Sequence, residues 1–463
     1  MTRHSHAPPA ERSRSVLLTG LLAAAALVVA GCTSATESTD VTVTVPASTA
    51  SSPSVPAASP TEAPTPAPAL REPSAPSSAS DTEAPRPATS PSAVTTSAAT
   101  TRESGPTIVT VPAASATGIS PITPVVVTAA AGTLTDASVT TPEGRTVKGA
   151  LSADRRSWTS AEPLGYNRSY TIDAVAEDGT GVRSSSTQFS TLKPKQTVYP
   201  SFFPNPKMTK VGVGQPMVVI FDKPPVDRAA AEKTLMVKTT PSVEGAWYWW
   251  DDRTLHYRPK EFWKPGTKIA ITAKVYGVDF GGGMYGETDR TLNVTIGDAK
   301  VAKIDDATKQ MRVFINDKLV RTVPVSMGMD QTVTVKGKKI DFITPSGTYV
   351  AQERHKVKQM SSATYGLPVD ADTGYDKAIP LAVRISNGGV FVHSAPWSVK
   401  DQGVRNVSHG CININPAAGQ WFYDNFSFGD IVQVVGTKSQ LKPDDGFGDW
   451  NIPWNEWLAG SVR

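Results

Sequence analysis

The 463-residue chain carries 46 Lys and Arg against 42 Asp and Glu, a formal net charge of +4. Hydrophobic residues at 39% and charged residues at 19% suit globular domains, while 38 prolines point to a portion that does not fold. Length admits two to four domains, and a near-neutral balance without a basic stripe interleaved with aromatics gives no footing for nucleic-acid binding.

In chain order, the first feature is an export signal. Arg3, Arg12 and Arg14 precede an apolar run over residues 16–30, and small residues lead into Cys32. Val29-Ala30-Gly31-Cys32 resembles a bacterial lipobox. That implies a signal peptide at 1–31, lipid on Cys32, and anchoring on the cell membrane facing the wall. The competing reading is an uncleaved anchor, for which the run is short, since a spanning helix needs about 20 apolar residues. Residues 32–105 are mostly Ser, Thr, Pro and Ala, with too little apolar surface to offset ordering entropy. They read as a disordered tether, reaching roughly 50 Å as a flexible coil and up to ~220 Å as polyproline II.

Residues 106–193 hold short alternating runs at 108–111, 124–127 and 170–175, with a tight-turn signal at Asp178-Gly179. A second block at 194–298 has clear strands at 216–221 and 268–275. The two blocks form a weak repeat of about 100 residues, and each reads as a β-sandwich. The cluster Trp247-Tyr248-Trp249-Trp250, with Trp263, reads as core; glycan binding is the alternative.

Residues 299–436 form a third block. Runs at 311–315 and 319–323 flank Asn316-Asp317-Lys318 as a hairpin, and further strands are expected at 347–350, 389–392 and, closing the domain, 431–435. Pro416 to Phe426 suits one short helix, with Asn415 as N-cap and Pro416 in the first turn. Between Arg354 and Arg384 lies a long stretch that reads as irregular, the kind of loop that usually serves as a lid. The C-terminal extension 437–463 is Trp-rich and reads as irregular, packing back on the folded part.

The chemistry concentrates in two segments of the third block. Val390-Phe391-Val392-His393-Ser394-Ala395-Pro396-Trp397 ends a buried strand, and Ser408-His409-Gly410-Cys411-Ile412-Asn413 follows with Cys411 eighteen residues after His393. A thiol attacks a carbonyl only as thiolate, so it needs a base, for which His393 is placed across a loop. Gly410 lets the backbone turn tightly beside the sulfur, with N–H groups free to face an oxyanion. A lone cysteine is also commonly a small buried hydrophobe. Cys411, His409 and His393 could alternatively be three zinc ligands, although neither a Cys-x-x-Cys nor a fourth ligand supports a metal. If Cys32 carries lipid, Cys411 is the only thiol left, and an unpaired cysteine in an exported protein is flagged as reactive.

These segments resemble the signature of the L,D-transpeptidase (YkuD-type) catalytic domain, and the resemblance runs from about Lys300 to the C-terminus. It takes in Thr344-Pro345-Ser346-Gly347-Thr348-Tyr349, Met360 through Gly366, Gly374-Tyr375 and Gly448-Asp449-Trp450-Asn451-Ile452-Pro453-Trp454; the last three resemble the actinobacterial cell-wall branch. The resemblance implies a mainly β protein: two immunoglobulin-like β-sandwiches, then a YkuD-type catalytic domain with a short helix. It implies a cysteine acyltransferase without cofactor or metal. Its substrates would be peptidoglycan stem peptides, a tetrapeptide donor losing D-alanine and a diaminopimelate-type acceptor, joined in a 3-3 cross-link. Carbapenems would be covalent inhibitors. Cys411 would be nucleophile, with His393 the base that keeps it ionised and the Ser394 carbonyl orienting the imidazole. His409, Gly410 and Cys411 would offer oxyanion N–H groups. Met360, Tyr365, Tyr375, Trp397 and Asn413 would line the substrate site, Asn413 by holding the turn.

Hydrolysis at the same site, an L,D-carboxypeptidase, shares every one of these residues. A wall-anchored spacer protein would explain the tether and sandwiches but not His393 with Cys411. Cys/His amidases and endopeptidases of the other common wall-lytic class usually place Cys before His.

Overall fold

The computed structural model describes residues 105–462. The signal, Cys32 and the tether up to residue 104 lie outside the described residues.

Strict alternation builds the first sandwich. In Ser169–Asp178 every second side chain is buried, and the strand pairs with Gly181–Ser190 through a turn at Gly179-Thr180. A three-stranded sheet (Thr133–Thr140, Ser169–Asp178, Gly181–Ser190) and a four-stranded sheet (Ile108–Val111, Val126–Ala129, Ser157–Ser160, Gly149–Leu151) enclose Val127, Leu134, Trp158, Tyr170, Ile172 and Phe189.

The second sandwich has two four-stranded sheets. One runs Lys210–Val211, Arg290–Ile296, Lys268–Ala273, Leu235–Thr240; the other runs Gly245–Trp249, Thr254–Pro259, Met217–Phe221, Pro200–Phe203. Period 2 sorts the aromatic cluster: Trp247 and Trp249 point inward and are buried, while Tyr248 and Trp250 face the other way. The outward pair is also used in packing, Tyr248 stacking on Trp457 at 4.8 Å and Trp250 on His256 at 4.7 Å.

Two large sheets, a two-stranded ribbon (Thr332–Val335 with Lys338–Asp341) and a helix make the third block, so the protein is mainly β with little helix. The five-stranded sheet orders Lys318–Pro324, Gln310–Ile315, Lys300–Asp305, Ile431–Val435, Gly347–Val350; its hairpin turns on Asn316 and Asp317, both in the left-handed region. Ile431–Val435 is therefore interior to its sheet, parallel to Lys300–Asp305. The helix Pro416–Asn425 starts where Asn415 Oδ1 accepts the Ala418 N–H at 2.9 Å. It packs against the second sheet, which orders Arg354–Ser361, Asp376–Arg384, Phe391–Ser394, Ile412–Ile414.

Two expectations need correction. The stretch between Arg354 and Arg384 is not an irregular loop: Arg354–Ser361 and Asp376–Arg384 form an antiparallel hairpin, and only residues 366–375 at its tip lack regular structure. Lys-rich alternation and Pro380 within the second strand hid it, since proline usually argues against a paired strand. The C-terminal extension is also ordered, as a 3-10 turn at Gly448–Asn451 and a helix at Trp454–Ala459.

That extension staples two blocks together. Asn451 exchanges side-chain hydrogen bonds with the backbone N–H and C=O of Thr348 on the catalytic sheet, at 2.8 and 2.9 Å. On the second sandwich, His256 Nδ1 lies 2.6 Å from Asp449 Oδ1, and Trp457 Nε1 donates to Ala246 O at 2.9 Å. The buried Arg258 guanidinium sits over Trp450, Trp454 and Trp457 at 4.9, 5.3 and 4.3 Å. Three indole faces supply π-density to a cation removed from water.

Candidate active site

Parallel pairing of Phe391–Ser394 with Ile412–Ile414 brings the two segments together, with His393 opposite Asn413 and Cys411 at the mouth of the second strand. His393 is buried, and its Nδ1 donates to the Ser394 carbonyl at 2.9 Å. A carbonyl can only accept, so this contact sets the tautomer and leaves Nε2 with its lone pair. The Trp397 ring, half exposed, stacks on the imidazole at 5.9 Å.

The 408–411 turn is held from two sides. Ser408 Oγ donates to Cys411 O at 2.6 Å and accepts the Gly410 N–H at 3.2 Å; Thr344 Oγ1 donates to Gly410 O at 2.7 Å. Gly410 has φ of 124°, a conformation only glycine adopts without strain. Its N–H is thus already engaged, correcting the expectation that it faces an oxyanion freely. Sequence reasoning missed Ser408 and Thr344 as the groups that shape the turn, because the contacts span 3 and 66 residues with no local pattern.

The hairpin tip covers this turn. Tyr365, at the end of the 3-10 turn Ser362–Tyr365, lies 6.4 Å from Tyr375; Tyr375 lies 5.0 Å from His409, and His409 packs edge-on to Phe342 at 4.6 Å. Burial pushes both phenols up, and a charge on Cys411 would push them further, so both rings stand within electrostatic reach of the sulfur. Met360 is half-buried on Arg354–Ser361, opposite Lys377 and beside the turn that carries Tyr365.

Asn413 departs from its expected place. It does not hold the turn or line a surface. It sits mid-strand and buried, with Nδ2 donating to Ser398 Oγ at 3.1 Å and its backbone paired with Ser326. Strand period decides this, since a residue two positions after Cys411 is already inside the sheet. The Ser394 side chain is also buried, against Gly419 of the helix, so only its carbonyl acts on the site. Among the described residues no group of three or more His, Cys, Asp and Glu side chains is arranged to hold a metal ion.

The sequence that builds this site has known relatives. A family model described as the L,D-transpeptidase catalytic domain (YkuD) matches residues 299–434, and a bacterial Ig domain model matches 116–279, across both sandwiches. L,D-transpeptidase 2 of Mycobacterium tuberculosis is 44% identical over 75% of this chain and 83% of its own length. The chain belongs to the L,D-transpeptidase family. L,D-transpeptidase 5 of Mycobacterium tuberculosis is 34% identical over 75% of each chain. A solved L,D-transpeptidase in complex with imipenem is 31% identical, covering 51% of this chain and 97% of its own, with a TM-score of 0.42.

In this L,D-transpeptidase burial disfavours charge on both groups of the site. Burial holds His393 down at about 4 against the small upward pull of the Ser394 carbonyl, and burial pushes the Cys411 thiol up to about 11. The sulfur faces the Gly389 carbonyl at 3.6 Å, and among the described residues no hydrogen bond joins it to His393. Burial thus works against the charged forms of both groups, in opposition to the expectation that His393 keeps the thiol ionised. The physical reason is desolvation, which penalises both charged forms and is invisible in a motif.

Proposed function

We propose that this L,D-transpeptidase joins peptidoglycan stem peptides through an acyl-enzyme on Cys411. The observation that supports this best is the buried His393, its tautomer set by the Ser394 carbonyl with Nε2 free, on the strand adjacent to the one that Cys411 opens, beneath a tyrosine-lined hairpin.

In the first half-reaction the Cys411 proton passes to His393 Nε2 as the sulfur attacks the carbonyl between the third and fourth residues of a tetrapeptide donor. The C–S bond forms, the C–N bond breaks, and the imidazolium returns its proton to the departing amine of D-alanine. Burial disfavours the imidazolium once it forms, so it gives its proton up readily in the leaving step. The N–H groups of His409 and Cys411 are the candidate oxyanion donors, since that of Gly410 serves Ser408. The acceptor's diaminopimelate-type amine then takes the acyl group, forming the 3-3 cross-link and freeing the thiol. Tyr365, Tyr375 and Trp397 frame the donor cleft and exclude water that would otherwise hydrolyse the acyl-enzyme.

Incubation of the protein with purified disaccharide-tetrapeptide is expected to yield cross-linked dimers and free D-alanine, resolved by liquid chromatography and mass spectrometry. Hydrolysed tripeptide with no dimer would sink the transferase reading in favour of a carboxypeptidase.

The lipobox-like run supports anchoring of the protein to the cell membrane through Cys32, with the tether carrying the folded part toward the wall. Mass spectrometry of the mature N-terminus is expected to find a diacylglycerol-modified Cys32. An unmodified N-terminus elsewhere would end the lipoprotein reading.

A further inference from the structure

The second catalytic sheet lines up four residues in one row. Arg354–Ser361 and Asp376–Arg384 pair so that Arg354 faces Val383, which sets Glu353 beside Arg384, and the Arg384 N–H donates to Glu353 O at 2.8 Å. Arg384 faces Phe391, and the next parallel pair, Val392 with Ile412, places Phe391 beside Cys411. The row therefore reads Glu353, Arg384, Phe391, Cys411. At about 4.8 Å per strand, the arginine stands roughly 10 Å from the cysteine and the glutamate roughly 14 Å, backbone to backbone.

The side chains keep this order. Arg384 Nε donates to Glu353 Oε1 at 2.8 Å, Nη1 donates to Ser386 O at 3.2 Å, and the guanidinium lies 4.5 Å over the Phe391 ring. An arginine anchored by two hydrogen bonds and a ring face is pre-organised, and in a partly desolvated site its charge is weakly screened. Along the row Glu353 stands on the far side of Arg384 from Cys411, so the arginine's is the nearer of the two charges to the cysteine. Burial disfavours an imidazolium at His393 in that role.

We propose that Arg384 is an electrostatic positioning residue of the nucleophile: fixed by Glu353 and Phe391, its charge stabilises the Cys411 thiolate as the proton leaves. The proposal rests on reading Cys411 as the nucleophile. Arg384 indeed acts on the thiol in the downward direction, against the dominant upward effect of burial and alongside the Phe391 backbone. The other titratable and charged groups around this row are His355, whose Nε2 is 3.2 Å from Glu353 Oε1, His393, His409, Tyr365, Tyr375 and, on the hairpin near His409, Lys377.

The test is the rate of Cys411 alkylation by iodoacetamide as a function of pH in the full chain. Cys411→Ala serves as the mapping control, and thermal unfolding verifies the fold of each variant. Below the thiol's inflection the rate follows the thiolate fraction, partly offset by the greater nucleophilicity of a more basic thiolate. A one-unit rise in pKa therefore slows alkylation about three- to tenfold. Arg384→Gln is expected to slow alkylation by that amount at each pH below the inflection and to move the inflection upward, and Arg384→Lys to restore most of it. Glu353→Gln, which frees the arginine's charge, should speed alkylation. Opposite signs from two partners of one ion pair are not what a merely structural role produces. If Arg384→Gln does not fold, Glu353→Gln decides alone: unchanged or slower alkylation overturns the proposal. Folded Arg384→Gln with a wild-type profile overturns it as well. Alkylation that persists in Cys411→Ala removes the nucleophile reading itself, an outcome separate from failure of the arginine's role.

Discussion

A carbapenem is expected to form a covalent adduct with the wild-type chain and none with Cys411→Ala, read by intact-protein mass spectrometry as a gain of the inhibitor's full mass. The chemistry is the first half-reaction with a strained ring in place of the stem-peptide amide. The sulfur adds to the β-lactam carbonyl, the ring C–N bond opens, and the ring nitrogen takes up the proton. Nothing leaves, so the acyl group remains on the enzyme. Cys411 is the free cysteine among the described residues, and substitution by alanine removes the sulfur proposed to form the bond. His393→Ala is expected to keep the adduct but slow its formation ~10²–10⁴-fold, the usual contribution of a positioned general base. The slowing should be large because the resting thiol is neutral, with its pKa pushed up to about 11, so little thiolate exists without the base. An adduct that persists in Cys411→Ala would show that another residue is the nucleophile.

Trp457→Ala is expected to destabilise the protein by ~3–5 kcal/mol, the range for deleting a fully buried large aromatic. Trp457 has no solvent exposure; its ring stacks on Tyr248 at 4.8 Å and lies 4.3 Å from the Arg258 guanidinium. Removing it opens a cavity, releases the Ala246 carbonyl from its indole partner and takes one of three π faces from a buried cation. The check is a chemical denaturation series against Leu458→Ala on the same helix, whose side chain is half exposed and whose loss should shift stability by no more than about 0.5 kcal/mol. Equal midpoints for Trp457→Ala and wild type would mean that the extension does not staple the second sandwich to the catalytic sheet.

What was legible in the sequence was local. Alternation marks the sandwich strands because a strand buried on one face must repeat every two residues. Asn316-Asp317 marks a hairpin because both tolerate the left-handed region, and Asn415-Pro416 marks a helix start because one caps and the other is preset for the first turn. The motif around His393 and Cys411 is legible for a related reason: tautomer control by the next residue's carbonyl and a glycine-dependent turn are built from neighbours in the chain.

What only the tertiary structure decided depends on residues that meet from far apart. The stretch expected to be an irregular lid is a hairpin because Arg354–Ser361 finds its partner in Asp376–Arg384. Asn413 is interior rather than turn-forming because Ser326 and Ser398 close over it. The C-terminal tryptophans become a staple only when Arg258 and Tyr248 stand opposite them. The charge state of the site was furthest from view. A motif fixes which groups can exchange a proton, but desolvation by the whole surrounding fold sets their energies. Strand register alone brings Glu353, Arg384, Phe391 and Cys411 into one row.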